Sequence, residues 1–250
     1  MNFKISIITV CYNSAETIED AIKSVENQTY KNIEYIIVDG NSKDNTLEIV
    51  NRYPQVITKW ISEKDNGLYD AMNKGINMAT GDVVGILNSD DLFCDYKAVE
   101  NVMNVFNQNP NLDSVYADIF YVSKDNTDNI VRKWKTGVQK KFNSGWHPAH
   151  PTFYVKKEIY NKYGVFDLNF KLASDFEIML RFLDKHKIST TYLPLPLIKM
   201  RLGGETNKSL KNIFNQNIEC IKAFRENNVK VNALLYPIKR ILPKFLQFIN

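Results

Sequence analysis

The chain has 250 residues, 44% hydrophobic and 24% charged, which suits a soluble globular protein of one large domain or one and a half. A net charge of +4 is too weak to point to nucleic acid. Three scattered cysteines, Cys11, Cys94 and Cys220, suit a reducing compartment without disulfides. The apolar run Ile5 to Val10 is too short for a signal peptide, and no run reaches the roughly 20 apolar residues of a membrane span.

The first half alternates. Lys4 to Val10 reads as a strand, and Glu16 to Gln28 as a helix with Ile18, Ala21, Ile22 and Val25 on one face. Strand Ile33 to Val38, helix Asp44 to Tyr53 and strand Val56 to Ile61 follow. A helix after Gly67 carries Leu68, Met72, Ile76 and Ala79 at helical spacing, and Val83 to Leu87 is a buried strand. This β-α-β-α-β-α-β order predicts a mostly parallel sheet with helices on both faces, whose ligands bind at the carboxyl ends of the strands. Each strand end is polar: Thr9 to Asn13, Asp39 to Ser42, Glu63 to Asp65, and Asn88 to Asp91.

The second half is less regular. A helix is expected over Lys97 to Asn107. Strands are expected at Ser114 to Tyr116, Ile119 to Val122, Ile130 to Trp134 and Thr152 to Val155, with a mobile loop at Trp134 to Ser144. The helix Ser174 to His186 precedes two short strands, Thr190 to Leu193 and Leu197 to Met200, which flank two prolines. A last helix spans Leu210 to Asn227. The tail Ala233 to Ile249 interleaves apolar residues with Lys239, Arg240 and Lys244. It reads as a membrane-interface segment or a packed terminal helix.

The end of the fourth strand carries chemistry. Asp90 and Asp91 stand side by side and raise each other's pKa unless a cation sits between them. Asp and Asn oxygens suit Mg²⁺ or Mn²⁺, so the loop reads as a metal–diphosphate site; a solvated turn with Asp91 as a helix N-cap is the other reading. The first turn, Cys11 to Ser14, has no glycine, which counts against a nicotinamide-binding βαβ unit.

Four segments, SIITVCYN, IIVDGNSKDNT, SEKDNGLYDAMNKG and GDVVGILNSDD, resemble family 2 nucleotide-sugar glycosyltransferases of GT-A fold across residues 1–95. A second block adds to the likeness: His150-Pro151 to Phe153, Tyr160 to Asp167, and Ala173-Ser174-Asp175 to Arg181. The resemblance implies an α/β GT-A domain with a mostly parallel Rossmann-like sheet. Residues 1–95 would bind the nucleotide-sugar, residues 96–205 would form a smaller acceptor-side half, and residues 206–250 a helical, membrane-associating region.

It also implies roles. Asp39 reads uracil and Tyr12 stacks on the base, with Thr9 and Asn13 at the same strand end. Glu63 and Asp65 touch ribose or cap the next helix. Lys74 counters the diphosphate or pairs with Asp70; Asn73 meets the nucleoside or sits exposed. The family's D-x-D stands here as Asn88-Ser89-Asp90, which makes Asn88 and Ser89 donor-binding groups, Asp90 the main metal ligand and Asp91 an assistant. His150 contacts diphosphate or metal. Asp175 is the base that an inverting transfer requires, and its place at a helix start favours the ionised form.

The function implied is a metal-dependent inverting transfer of one sugar, with Mn²⁺ or Mg²⁺, from a UDP-sugar to a glycan or lipid-linked glycan. It belongs to O-antigen or surface polysaccharide assembly at the cytoplasmic face of the inner membrane. No Q-x-x-R-W pattern suggests a processive synthase. The alternative is a catalytically silent sugar-nucleotide or glycan-binding module.

Overall fold

The computed structural model describes residues 2–203 and 210–240. In chain order its main elements are β1 (Ile5–Cys11), α1 (Ile18–Glu26), β2 (Ile33–Asp39), α2 (Thr46–Val50), β3 (Lys59–Ser62), α3 (Leu68–Met78), β4 (Val83–Ile86), β5 (Leu92–Phe93) and α4 (Ala98–Gln108). There follow β6 (Ser114–Val122), β7 (Ile130–Trp134), β8 (Tyr154–Lys156), α5 (Lys157–Tyr163), α6 (Ser174–Leu180), β9 (Thr190–Arg201) and α7 (Leu210–Glu226).

The strands form one sheet in the order β3-β2-β1-β4-β8-β6-β9-β5, with β7 paired to β6. β3, β2, β1 and β4 are parallel; β8 is antiparallel to both β4 and β6, and β9 is parallel to β6. The period-2 alternation of the strands divides their apolar residues between two cores. Ile8, Val10, Ile36 and Val38 face α3, α6 and α7, while Ile5, Ile7, Tyr35 and Ile37 face α1, α2 and α4. A Cβ at Gly75 would stand 2.4 Å from Ile8 Cγ2, so only glycine lets α3 lie this close to β1.

Several elements differ from expectation. β3 begins at Lys59 because the amides of Val56 and Ile57 bond back to Tyr53 O at 3.0 Å each, continuing the turn after α2. The two short strands around Pro194 and Pro196 are one strand, β9, whose register against β6 slips beside Asp118. A proline has no N–H to give the ladder, and the slip accommodates it. β6 is likewise continuous. The helix at Ser174 is α-helical only to Leu180 and then widens into a π turn over Arg181–Lys185, closed by His186 N–H to Arg181 O at 2.9 Å. Helix α5 was not anticipated. The expected mobile loop is anchored: Phe142 is buried, Thr136 N–H donates to Asp118 at 2.7 Å, and Trp146 Nε1 donates to Thr136 O at 2.9 Å.

At the amino end of the sheet, Glu34 is buried and accepts bonds from Ser6 Oγ (2.6 Å), Thr80 N (2.7 Å) and Thr80 Oγ1 (2.8 Å), with Lys59 Nζ at 2.9 Å. Burial alone would raise its pKa. The hydrogen bonds and the ammonium outweigh it and hold the carboxyl well below the usual range. The start of the tail packs on the domain: Tyr236 meets Phe176 and Phe224, and Arg240 donates to Asn217 at 3.2 Å. Residues 241–250, the rest of the expected interface segment, lie outside the described residues.

Candidate active site

The carboxyl ends of β1, β2, β3 and β4 meet at one edge of the sheet. Tyr12 is 62% exposed at the end of β1 and offers an open ring. A Cβ on Gly40 would lie 3.4 Å from that ring and 2.8 Å from Asp65 Oδ2, so Gly40 is the floor between them. Asn13 has a left-handed backbone (φ 49°). Its N–H donates to Ser42 Oγ and its Oδ1 accepts from Lys43 N–H, both at 2.8 Å, which ties the first loop to the second.

Asp39 lies beneath this edge with no exposed surface. Oδ2 accepts from Ser42 N–H (3.0 Å) and Ser62 Oγ (2.6 Å), while Oδ1 accepts from Ser42 Oγ and, weakly, from Cys11 Sγ. A carboxylate has about four acceptor sites, so a base can reach this one only if a serine hydroxyl turns aside. Thr9 does not face the crevice. It is buried, and its hydroxyl accepts from Tyr35 OH at 3.0 Å inside the core.

Two further expectations are corrected. The Asn73 amide is neither at the crevice nor exposed: Nδ2 donates to Phe166 O and Oδ1 accepts from Phe166 N–H, each at 2.9 Å, so it staples α3 to the second half. Lys74 does pair with Asp70 (3.8 Å), as one of its two readings expected, but it also meets Asp65 (2.6 Å) and Glu63 (2.8 Å), so it is not a spare cation. Burial works to lower its pKa, but the bonds to Asp65 and Glu63 raise it to about 12. Glu63 and Asp65 are thereby drawn to Lys74 beside the Tyr12–Gly40 floor.

After β4 the chain turns at Asn88–Asp91. Ser89 Oγ and Ser14 Oγ share a hydrogen bond of 3.0 Å, which joins this loop to the first. Asn88 Nδ2 donates to Asp91 Oδ2 at 2.9 Å, and Asp91 N–H donates to Asn88 O at 3.1 Å. Asp91 is buried and leads into β5, so it is not a helix N-cap. Burial pushes both Asp90 and Asp91 up, and the charge of Asp90 pushes Asp91 further. Asn88 Oδ1 and Asp91 Oδ1 are buried acceptors without a partner. Sequence reasoning missed the cation here: Arg201 donates Nη1 to Asp90 O at 2.6 Å and Nη2 to the Asp20 carboxylate.

On the other side of α3, Tyr69 OH donates to Asp175 Oδ1 at 3.1 Å, and Phe176 N–H meets the same oxygen at 2.8 Å. Tyr69 stacks on Phe166 with centroids 5.5 Å apart, and His150 sits edge-on to that ring at 5.4 Å. Burial and the Asp175 charge raise the Tyr69 pKa, so its hydroxyl stays a donor. Burial lowers the His150 pKa against the pull of Asp175, which leaves a neutral imidazole beside the carboxylate. Tyr69 lies in the segment SEKDNGLYDAMNKG, but nothing in that segment points to its partner.

A parallel half-sheet with polar loops at its carboxyl edge, continued through the antiparallel β8 and faced by a second carboxylate, Asp175 on α6, has the architecture of the GT-A class of glycosyltransferase. Residues 6–171 match the profile described as Glycosyl transferase family 2, and the chain belongs to that family. An uncharacterised glycosyltransferase of Mycobacterium tuberculosis is 30% identical over 179 residues, 71% of this chain and 68% of that protein. A PGL/p-HBAD biosynthesis glycosyltransferase of Mycobacterium bovis is 25% identical over 213 residues, 81% of this chain and 78% of its own. Among solved structures, S. aureus TarS 1–349 in complex with UDP-GlcNAc superposes with a TM-score of 0.69 at 17% identity, covering 97% of this chain and 71% of that one. The mannosyltransferase PcManGT of Pyrobaculum calidifontis, in complex with GDP-Man and Mn²⁺, gives 0.68 at 17% identity over 96% and 68%. At such identity the structural likeness establishes the fold.

Proposed function

We propose that this glycosyltransferase moves one sugar, with inversion, from a UDP-sugar to a hydroxyl of a glycan or lipid-linked glycan. Asp175 is its base and a divalent cation sits at Asp90. The observation that carries the reading is the Tyr69–Asp175 bond. It brings a carboxylate from the second half to the helix that begins at the donor edge.

Asp175 takes the acceptor hydroxyl's proton as that oxygen attacks the sugar carbon. Tyr69 OH and Phe176 N–H both hold Oδ1. Oδ2 has no hydrogen bond among the described residues and is the oxygen available for the proton. Burial makes His150 a weaker base than usual beside the carboxylate. On the donor side, Tyr12 covers one face of the base above Gly40, and a uracil N–H would replace one serine donor on Asp39.

The acidic loop fits a hard cation. Its two unpartnered acceptors are oxygens, and Asp90 adds a carboxylate. Among the described residues no group of three His, Cys, Asp or Glu side chains surrounds the spot. Mg²⁺ and Mn²⁺ are commonly held by one or two carboxylates together with substrate phosphates. Asp90 is the principal ligand, Asn88 and Asp91 lie beside it, and His150 at Phe166 belongs to the base instead. When bound, the cation neutralises the leaving diphosphate as a Lewis acid.

UDP-GlcNAc in TarS and GDP-Man with Mn²⁺ in PcManGT support a nucleotide diphosphate donor and a metal. The same reading places the enzyme at the cytoplasmic face of the inner membrane, in surface polysaccharide or O-antigen assembly. Exposed Leu234, Leu235 and Ile238 beside Lys239 support contact with lipid, and no helix among the described residues is long and apolar enough to cross a membrane. The test is a panel of nucleotide-sugars with Mn²⁺, Mg²⁺ or chelator, scored for free nucleotide. Release from UDP-sugars that needs metal is expected; metal-independent release, or release from another nucleotide alone, refutes the assignment.

A further inference from the structure

Arg201 ends β9, far along the chain from the donor motifs and outside the residues that match the family profile. Only 6% of it is exposed. Its backbone is fixed: Val122 is its partner across β6, and Leu202 N–H donates to Val122 O at 3.0 Å. From this rigid base the guanidinium reaches the loop after β4. Nη1 donates to Asp90 O at 2.6 Å, and Nη2 pairs with Asp20 on α1, a carboxylate that is half exposed.

The group that Arg201 holds is the carbonyl of the peptide between Asp90 and Asp91. The N–H of that peptide donates to Asn88 O at 3.1 Å. With its oxygen on Arg201 and its nitrogen on Asn88, the peptide plane cannot rotate. A fixed plane fixes the bonds leaving the two flanking α-carbons, and therefore the directions in which the Asp90 and Asp91 side chains can point. Arg201 leaves its buried Nε without a partner. A guanidinium placed only to satisfy itself would not accept that desolvation cost. The planar fork reaches two elements at once, which a lysine ammonium cannot do in the same geometry.

We propose that Arg201, braced by Asp20, is the positioning residue of the acidic loop and that it sets the loop's affinity for divalent cation and, through the cation, for the donor diphosphate. The proposal rests on the metal reading of Asp90. It assigns a donor-side function to a residue at the far end of the acceptor-side half.

The experiment titrates Mn²⁺ into the full chain with saturating UDP, following unbound Mn²⁺ by electron paramagnetic resonance. Partners that orient metal ligands are worth roughly 10- to 100-fold in metal affinity, so Arg201→Lys is expected to weaken Mn²⁺ uptake by at least about tenfold. The acceptor KM and the thermal midpoint should move little. Asp20→Ala frees Nη2 without emptying the core and should weaken uptake in the same direction by less. The double variant should lose less than the product of the two, because both act through one guanidinium.

Wild-type protein that binds no Mn²⁺ with UDP overturns the metal reading and this inference with it. Wild-type uptake that is unchanged in Arg201→Lys overturns the inference alone. If Arg201→Lys does not fold, Asp20→Ala decides, and an unchanged titration there refutes the role of the pair.

Discussion

Tyr69→Phe removes one hydroxyl and keeps the ring, so the stack on Phe166 at 5.5 Å survives. What is lost is the 3.1 Å bond to Asp175 Oδ1. A hydrogen bond to a charged group contributes about 1.5–3 kcal/mol net. In the proposed mechanism donor binding does not use this bond, so the loss is expected to fall on the transfer step. At 1.36 kcal/mol per decade it corresponds to a fall in kcat of about 10- to 150-fold with little change in donor KM. The assay is product formation at saturating donor and acceptor, with donor affinity measured separately by calorimetry. Asp175→Asn should cost about 10²- to 10⁴-fold in kcat by removing the base. Adding Tyr69→Phe to Asp175→Asn should then cost little, because the carboxylate that Tyr69 orients is gone. The reasoning is refuted if Tyr69→Phe leaves kcat unchanged, or if its effect is as large in the Asp175→Asn background as in the wild type.

Asp90→Ala is expected to abolish metal-dependent UDP binding in calorimetry with Mn²⁺, and Asp91→Ala to weaken it less; full affinity in Asp90→Ala would remove Asp90 from the metal site. Asn73→Ala leaves the Phe166 backbone groups unpaired and should cost about 1–3 kcal/mol, lowering the melting temperature by roughly 2–4 °C per kcal/mol. Its donor KM should stay put, and a rise would return Asn73 to the nucleoside. Glu34 has a depressed pKa in the folded protein, so its stabilisation is present above the unfolded carboxyl value near about 4.3 and is lost as pH falls below it. Glu34→Gln should lower Tm at neutral pH and flatten its acid limb; an unchanged limb would show that Glu34 does not drive it. Leu234→Ser with Ile238→Ser should reduce sedimentation with anionic vesicles and leave the fold intact; equal sedimentation argues against contact through this surface.

Most of the first half was legible because its main strands and helices each follow a simple apolar pattern. Ile5 to Val10 and Ile33 to Val38 are mostly apolar runs, interrupted only by Ser6, Thr9 and Glu34, and Ile18, Ala21, Ile22 and Val25 are spaced as a buried helix face. The polar strand ends follow from topology. Side-chain commitments were not legible, because they depend on partners distant in sequence. Asn73 is spent on Phe166, 93 positions away, and Tyr69 meets Asp175 at a separation of 106. Asp39 was singled out for its carboxylate, but the two serines that engage it gave no cue beyond their place in polar turns. Near Pro194 and Pro196 local rules suggested a break, yet the long β6–β9 pairing tolerates a slipped register there. Arg201 carried no signal, since an arginine shortly before two glycines in sequence is unremarkable until Asp90 is seen beside it.

The clasp on Asp90 has a consequence for the order in which the protein is made. Arg201 follows Asp90 by 111 residues. At about 5–20 residues per second, a ribosome needs roughly 6–22 s to add that stretch. Through that interval β1 to β4 can pair as a parallel sheet, while the peptide after Asp90 lacks the guanidinium that holds its carbonyl. A chain cut short before β9 would keep its donor motifs and lose their brace. β9 is the last strand among the described residues, so partial chains hold the carboxyl edge of β1 to β4 before the peptide after Asp90 is clasped.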